Sequence, residues 1–308
     1  MKTVQPIDFA KYAEKEPPVE AQYVKRASDI AAGARSYLRN GIGMTGHTLP
    51  WLKTHDAFRL RGGEVTIWAG INGQGKSLVT GQIAYSLTKY SKVLIASMEM
   101  KPEITYARMC MQASGGSNPT DSYLDQLDSH FDENLYIFDK IGSINPTIIR
   151  NMIRYSALEL GVKHIFIDSI SKCGFDSNNN ELSKTFMDMV TGLAIELNIH
   201  IHLIHHVKKS NSVSDHLDVF SVKGAGELTD LAFNVVLVYR NQDKIFAEKT
   251  GDWSKVEPDA PDSYLELVKQ RNGDVTNKLW AFWFHSDSKQ WIKHPTASPE
   301  LFIQPWSK

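Results

Sequence analysis

From residue 63 onward the chain alternates between short runs that are apolar at nearly every position and longer stretches in which apolar residues return every three or four positions. The compact runs are 64–69 (EVTIWA), 92–97 (KVLIAS), 135–138, 164–168 (HIFID) and 200–205, and they predict strands buried on both faces. The periodic stretches, 76–89, 103–113, 146–160 and 182–197, predict helices between them. Strands and helices in alternation with short connections predict an α/β fold, a mainly parallel central sheet flanked by helices. After Gly226 the texture turns to strands, in NVVLVYR, SYLELVKQ and KLWAFWF, and ends near Trp291. The tetrapeptide SNNN at 177–180 reads as a loop.

Upstream the pattern is different. Residues 1–22 are polar, contain Pro6, Pro17 and Pro18, and predict an irregular arm. Over 23–40 the residues Val24, Ala27, Ala31, Ala34 and Leu38 fall at helical spacing, with Ser28 and Asp29 placed to cap. A single amphipathic helix of this length is marginal in water and needs a surface to pack on. Residues 41–60, with GIGMTGHTLPWL, show no regular period and predict a connector, so the main domain is expected over 61–308.

Composition narrows the function classes. The 34 Lys and Arg nearly balance 35 Asp and Glu, for a formal net charge of -1, which excludes nucleic-acid binding driven by charge over the whole surface. A local basic strip remains compatible with that balance, because salt screens distant charges. Two cysteines, Cys110 and Cys173, are too few for a disulfide scaffold or a four-cysteine zinc site. No apolar run approaches the length of a membrane span, and the N-terminus has no signal core, so the expected compartment is the cytoplasm, without a membrane partner.

The strongest chemical signal is AGINGQGKS, where Gly70, Gly75, Lys76 and Ser77 satisfy G-x-x-x-x-G-K-[ST] between a predicted strand and a predicted helix. In that position the backbone of Gly70, Asn72, Gly73, Gln74, Gly75 and Leu78 can cradle phosphates at a helix N-terminus. Lys76 would reach the β- and γ-phosphates and the Ser77 hydroxyl would ligate Mg²⁺, so ATP or another NTP and Mg²⁺ are the expected cofactors. HIFIDSI is an apolar strand ending in Asp168, a carboxylate at the strand edge where ligands of open α/β sheets bind and where an acid can hold Mg²⁺. Glu99, in SMEM just after the neighbouring strand, is placed to orient or deprotonate an attacking water.

Taken together these residues resemble the RecA-like ATPase core, and specifically the motor domain of DnaB-type hexameric replicative helicases, including the helicase halves of phage primase-helicases. The marks are RGGEV at 61–65, SMEM at 97–100, the Asp168 strand, LIHHVKK at 203–209, SVKGAGELTDLAFNVVLVYRNQ at 221–242 and VKQRNG at 268–273.

The resemblance implies roles that the spacing alone does not assign. His200, His202, His205 and His206 could suggest a metal cluster, but strand alternation divides them between faces. By the resemblance, His206 is the polar sensor of the γ-phosphate. Lys208, Lys209, Ser210, Asn211, Lys223 and Gly224 would belong to a loop gripping single-stranded DNA in the channel of a ring. Lys269 and Arg271, two residues apart, would act in the neighbouring subunit's ATP site, and Arg240 would stack on the nucleobase. Asp230 stands where relatives commonly carry Gln. The helix over 23–40 would dock on the adjacent protomer. The implied protein is an ATP-dependent replicative DNA helicase, a ring expected to be a hexamer, working with a separate primase and DNA polymerase. The alternatives are a RecA-like recombinase or strand-annealing ATPase, and a non-motor ATP-binding switch or loader.

Overall fold

The computed structural model describes residues 24–40, 45–174, 179–207 and 226–304. The chain divides into two units, Met1–Ile42 and Gly43–Lys308. In the first, helix α1 spans Ala27–Asn40, starting later than the spacing predicts and ending where it predicts. Asp29 Oδ2 accepts the Arg26 N–H at 3.1 Å, which satisfies a donor left over at the helix start.

The second unit is built on strands β1 (Val65–Gly70), β2 (Lys92–Ser97), β3 (Leu135–Ile137), β4 (Val162–Asp168), β5 (His200–His206), β6 (Asn234–Arg240), β7 (Ser263–Gln270), β8 (Lys278–His285) and β9 (Gln290–Ile292). They form one sheet in the order β3-β2-β4-β5-β1-β6-β7-β8-β9. Every pairing from β3 to β6 is parallel, and those from β6 to β9 are antiparallel. The helices are α2 (Lys76–Leu87), α3 (Pro102–Ser114), α4 (Asp121–Asn134), α5 (Pro146–Leu158), α6 (Asn180–Leu197), α7 (Gly226–Leu231) and α8 (Gln242–Thr250). This is the RecA-like arrangement: a mainly parallel sheet between two helical layers.

The strand period of two sorts side chains between two cores. Ile67, Ala69, Ile165, Ile167, Ile201 and Leu203 face α5, α6 and α7, where they meet Ile153, Phe186, Val190 and Leu228. Trp68, Phe166 and Ile204 face α2, α3 and α4, where they meet Val79, Ile83, Met109 and Phe131. Asp168 has the parity of Phe166, and His206 has the parity of Ile204. Both therefore belong to the face covered by α2.

Two elements depart from the sequence expectation. Helix α4 is not predicted by the spacing, because DSYLDQLDSHFDEN is mostly polar; Thr120 caps it, and Leu127 with Phe131 anchors it on the sheet. Residues 45–60, expected as a connector, belong to the larger unit's core: Leu49, Trp51, Phe58 and Leu60 are buried in the same cluster as Trp68. Their apolar side chains are irregularly spaced because a 3₁₀ turn at Leu52–Thr54 and a bridge between His47 and Leu60 shape them.

Candidate active site

The phosphate loop runs from the end of β1 into α2. Its backbone needs glycine at defined places: Gly73 and Gly75 have φ of +79 and +88, and a Cβ on Gly70 would lie 2.2 Å from the Val238 carbonyl oxygen. Trp291 of β9 packs beneath Gly75, and its main chain is held from both sides by Gln82 of α2. The Gln74 side chain accepts the Arg240 N–H at 2.6 Å, tying the loop to the end of β6.

Lys76 folds back over the loop. Its Nζ donates to the carbonyl oxygens of Gly70 at 2.7 Å and Ile71 at 2.9 Å, which leaves one proton directed outward. Burial pulls its ammonium down to about 8, against the attraction of Asp168 and Glu99.

Strand order brings the remaining groups together. β5 lies between β1 and β4, so Gly70 is level with His206, and Asp168 is level with Ile204 and, on its other side, with Ser97. Ser77 Oγ donates to Asp168 Oδ2 at 2.5 Å. Asp168 Oδ1 and His206 Nδ1 are buried without a hydrogen-bond partner among the described residues. Burial raises the Asp168 carboxyl above its ordinary range, while the Ser77 hydroxyl pulls the other way. Burial also lowers the His206 imidazole, aided by the Lys76 charge and opposed by Glu99 and Asp168. Glu99, 39% exposed, has its Oε1 at 3.6 Å from His206 Nε2 and accepts the Ser169 hydroxyl at 2.9 Å.

Beside the first turn of α2 lies a cleft of about 570 Å³ lined by Leu78, Arg108, Met111, Phe284 and Lys289 among others. Nothing in local spacing joins β8 and β9 to α2, so neither this cleft nor the places of Trp291 and Ser169 are legible in the sequence.

Lys269 and Arg271 sit elsewhere. Lys269 Nζ donates to the Thr229 and Asp230 carbonyl oxygens, each at 2.8 Å, and Arg271 reaches the Asp230 carbonyl at 2.6 Å. The Arg271 N–H bonds Phe233 O, just before β6 begins, whereas the phosphate loop leaves the carboxyl ends of the parallel strands. On their own chain the two cations are thus turned toward α7, on the face of the sheet opposite α2. Lys208, Lys209, Ser210, Asn211, Lys223 and Gly224 lie outside the described residues, as does the arm over 1–22.

A glycine-walled loop, a buried lysine and a serine–aspartate pair at the carboxyl edge define a P-loop nucleotide-binding domain. The chain belongs to the AAA domain family AAA_25, whose model matches residues 48–212. It has the fold of a DnaB-type helicase motor domain. A solved helicase ATPase domain is similar at TM-score 0.72 and 14% identity, over 88% of this chain and 99% of that one. The structure of a DnaB-like replicative helicase and its interactions with primase is similar at TM-score 0.64 and 15% identity, over 87% of this chain and 67% of that one. No curated protein matches. Among the described residues no helix is long and apolar enough to cross a membrane.

Proposed function

We propose that this chain is a Mg²⁺-dependent NTPase, with ATP the expected nucleotide, that moves on single-stranded DNA as a ring and unwinds duplex as a replicative helicase. The observation that carries the reading is the convergence of Lys76, Ser77, Asp168, Glu99 and His206 at one sheet edge. A Mg²⁺ ion fits this donor set: Ser77 Oγ and Asp168 would hold it, and the buried, unpaired Asp168 Oδ1 is an oxygen still free to engage it or its waters. When bound, the ion neutralises phosphate charge.

The chain's own groups do the rest. Gly73, Gln74, Gly75, Lys76, Ser77 and Leu78 present main-chain N–H groups to the phosphates, with Gly70 and Asn72 shaping the loop. Lys76 directs its outward proton to the β- and γ-phosphates, and Glu99 takes the proton of the attacking water. His206, next to both, reads the γ-phosphate. The nucleoside extends toward the cleft beside Leu78, with Phe284 and Arg240 as its flanking side chains. Lys269 and Arg271, turned away from their own phosphate loop, complete the site of a neighbouring subunit. Lys208, Lys209, Ser210, Asn211, Lys223 and Gly224 grip the DNA, the segment over 23–40 docks on the adjacent protomer, and a separate primase and polymerase act with the ring in the cytoplasm.

Two measurements test this. Lys76→Ala is expected to abolish DNA-stimulated ATP hydrolysis; retained hydrolysis overturns the site. Mixing Lys76→Ala with Arg271→Ala protein is expected to restore part of the activity, because one intact shared site can form between unlike subunits. No recovery overturns the shared site.

A further inference from the structure

Ser169 follows Asp168 directly and is fully buried. Its hydroxyl lies 2.9 Å from Glu99 Oε1 and 2.7 Å from the Ser171 hydroxyl. An ionised carboxylate only accepts, so the single Ser169 proton goes to Glu99, and Ser171 must then donate to Ser169. The relay is rigidly seated. The 3₁₀ turn Ile170–Lys172 carries Ser171, Lys172 N bonds the Ser169 carbonyl at 3.0 Å, and Ile144 N bonds the Lys172 carbonyl at 2.8 Å.

Both neighbours of the glutamate meet the same oxygen: Ser169 donates to Oε1, and His206 Nε2 is 3.6 Å from it. Among the described residues no hydrogen bond reaches Oε2. We propose that Ser169 is a positioning residue for hydrolysis: by holding Oε1 it turns Oε2 toward the phosphate edge, making Oε2 the atom that receives the water proton. As that proton moves to Oε2, the water oxygen bonds to the γ-phosphorus. The bond to the β,γ-bridging oxygen breaks with its electron pair on the departing diphosphate, and inorganic phosphate is released. The Asp168–Ser169 dipeptide then serves two partners at once, Ser77 through the acid and Glu99 through the hydroxyl.

The inference rests on Glu99 as the base, and a double-mutant cycle on the full chain separates the two ideas. Ser169→Ala is expected to lower kcat for ATP hydrolysis roughly tenfold, the weight of one hydrogen bond to a charged group, with KM unchanged. Ser171→Ala should lower it less. In a Glu99→Gln background, where the base is already lost, both serine substitutions should have no further effect on the residual rate. Equal losses with and without Glu99 would mean a structural role and overturn the proposal, as would an unchanged kcat in Ser169→Ala. If Glu99→Gln itself hydrolyses ATP normally, the assignment of the base fails and the positioning role falls with it. Should Ser169→Ala not fold, the Ser171→Ala arm of the cycle decides alone, with the same outcomes.

Discussion

Strand β5 carries histidines at both ends, and the ends use them in opposite ways. At its start, His200 and His202 share one face with His164 of β4 and with Thr66 and Trp68 of β1, beneath the segment that brings in His47. The Trp68 indole donates to His202 Nδ1 at 3.2 Å; His202 Nε2 then meets His164 Nδ1 at 3.2 Å, and His164 Nε2 meets His47 Nδ1 at 2.7 Å. His200 bonds the Arg61 carbonyl at 2.7 Å and the Thr66 hydroxyl at 2.8 Å. Every ring nitrogen of His164, His200 and His202 is paired. Because an indole can only donate, the line from Trp68 to His47 has one consistent set of neutral tautomers. At the other end, His206 and Asp168 each keep a buried atom without a partner among the described residues. A saturated polar cluster holds structure together, whereas polar atoms buried and unpaired at a sheet edge are held ready for a ligand.

That contrast can be broken by experiment, and the largest effect belongs to the catalytic edge. His206→Ala and Asp168→Asn are each expected to lower kcat by about 10²–10³, the range for losing one transition-state electrostatic contact, while Tm stays nearly constant. A large fall in Tm would mean that these groups are structural after all. At the saturated end the pattern reverses. His202→Leu leaves the Trp68 indole and His164 Nδ1 unpaired, and should destabilise by about 2–4 kcal/mol in denaturant titration, with kcat of the folded fraction unchanged. Trp68→Phe removes the donor that sets the tautomers but keeps most of the ring, and should cost about 1–3 kcal/mol.

The smallest effect is the pH response. Burial drives His200 down to about 3, and holds His164 and His202 well below the ordinary imidazole range, while the unfolded chain has them near 6.5. Between those limits the unfolded state binds more protons, so their contribution is fully present above about pH 6.5 and is lost as pH falls toward 3. Tm should therefore decline between pH 7 and 5 in the native protein, and less steeply in His202→Leu. Equal slopes would show that the cluster does not set the acid response.

Much of this is legible in the chain, for reasons particular to each element. The spans of β2, β6 and β7 follow the sequence pattern to the residue: β2 and β6 are apolar along most of their length because both faces are covered, and β7 alternates because one of its faces is only half-buried. The phosphate loop is legible because a phosphate cradle is made from consecutive residues. Helix α4 escapes because only its Leu127 and Phe131 are buried, too few to outweigh its acidic surface. The His200 and His202 pairings escape because their partners come from β1, β4 and the segment carrying His47. Residues 45–60 escape because an irregular segment buries side chains without a period.

The sequence by itself determined the order of strands and helices, the phosphate loop and the acids that follow β2 and end β4, since periodicity and contiguous motifs are local properties of the chain. Only the tertiary structure decided that β5 lies between β1 and β4, that Ser169 meets Glu99 and that Lys269 and Arg271 turn toward α7. Neighbours in a sheet are chosen by which faces can be buried together across long separations in the chain, and no local pattern records that choice.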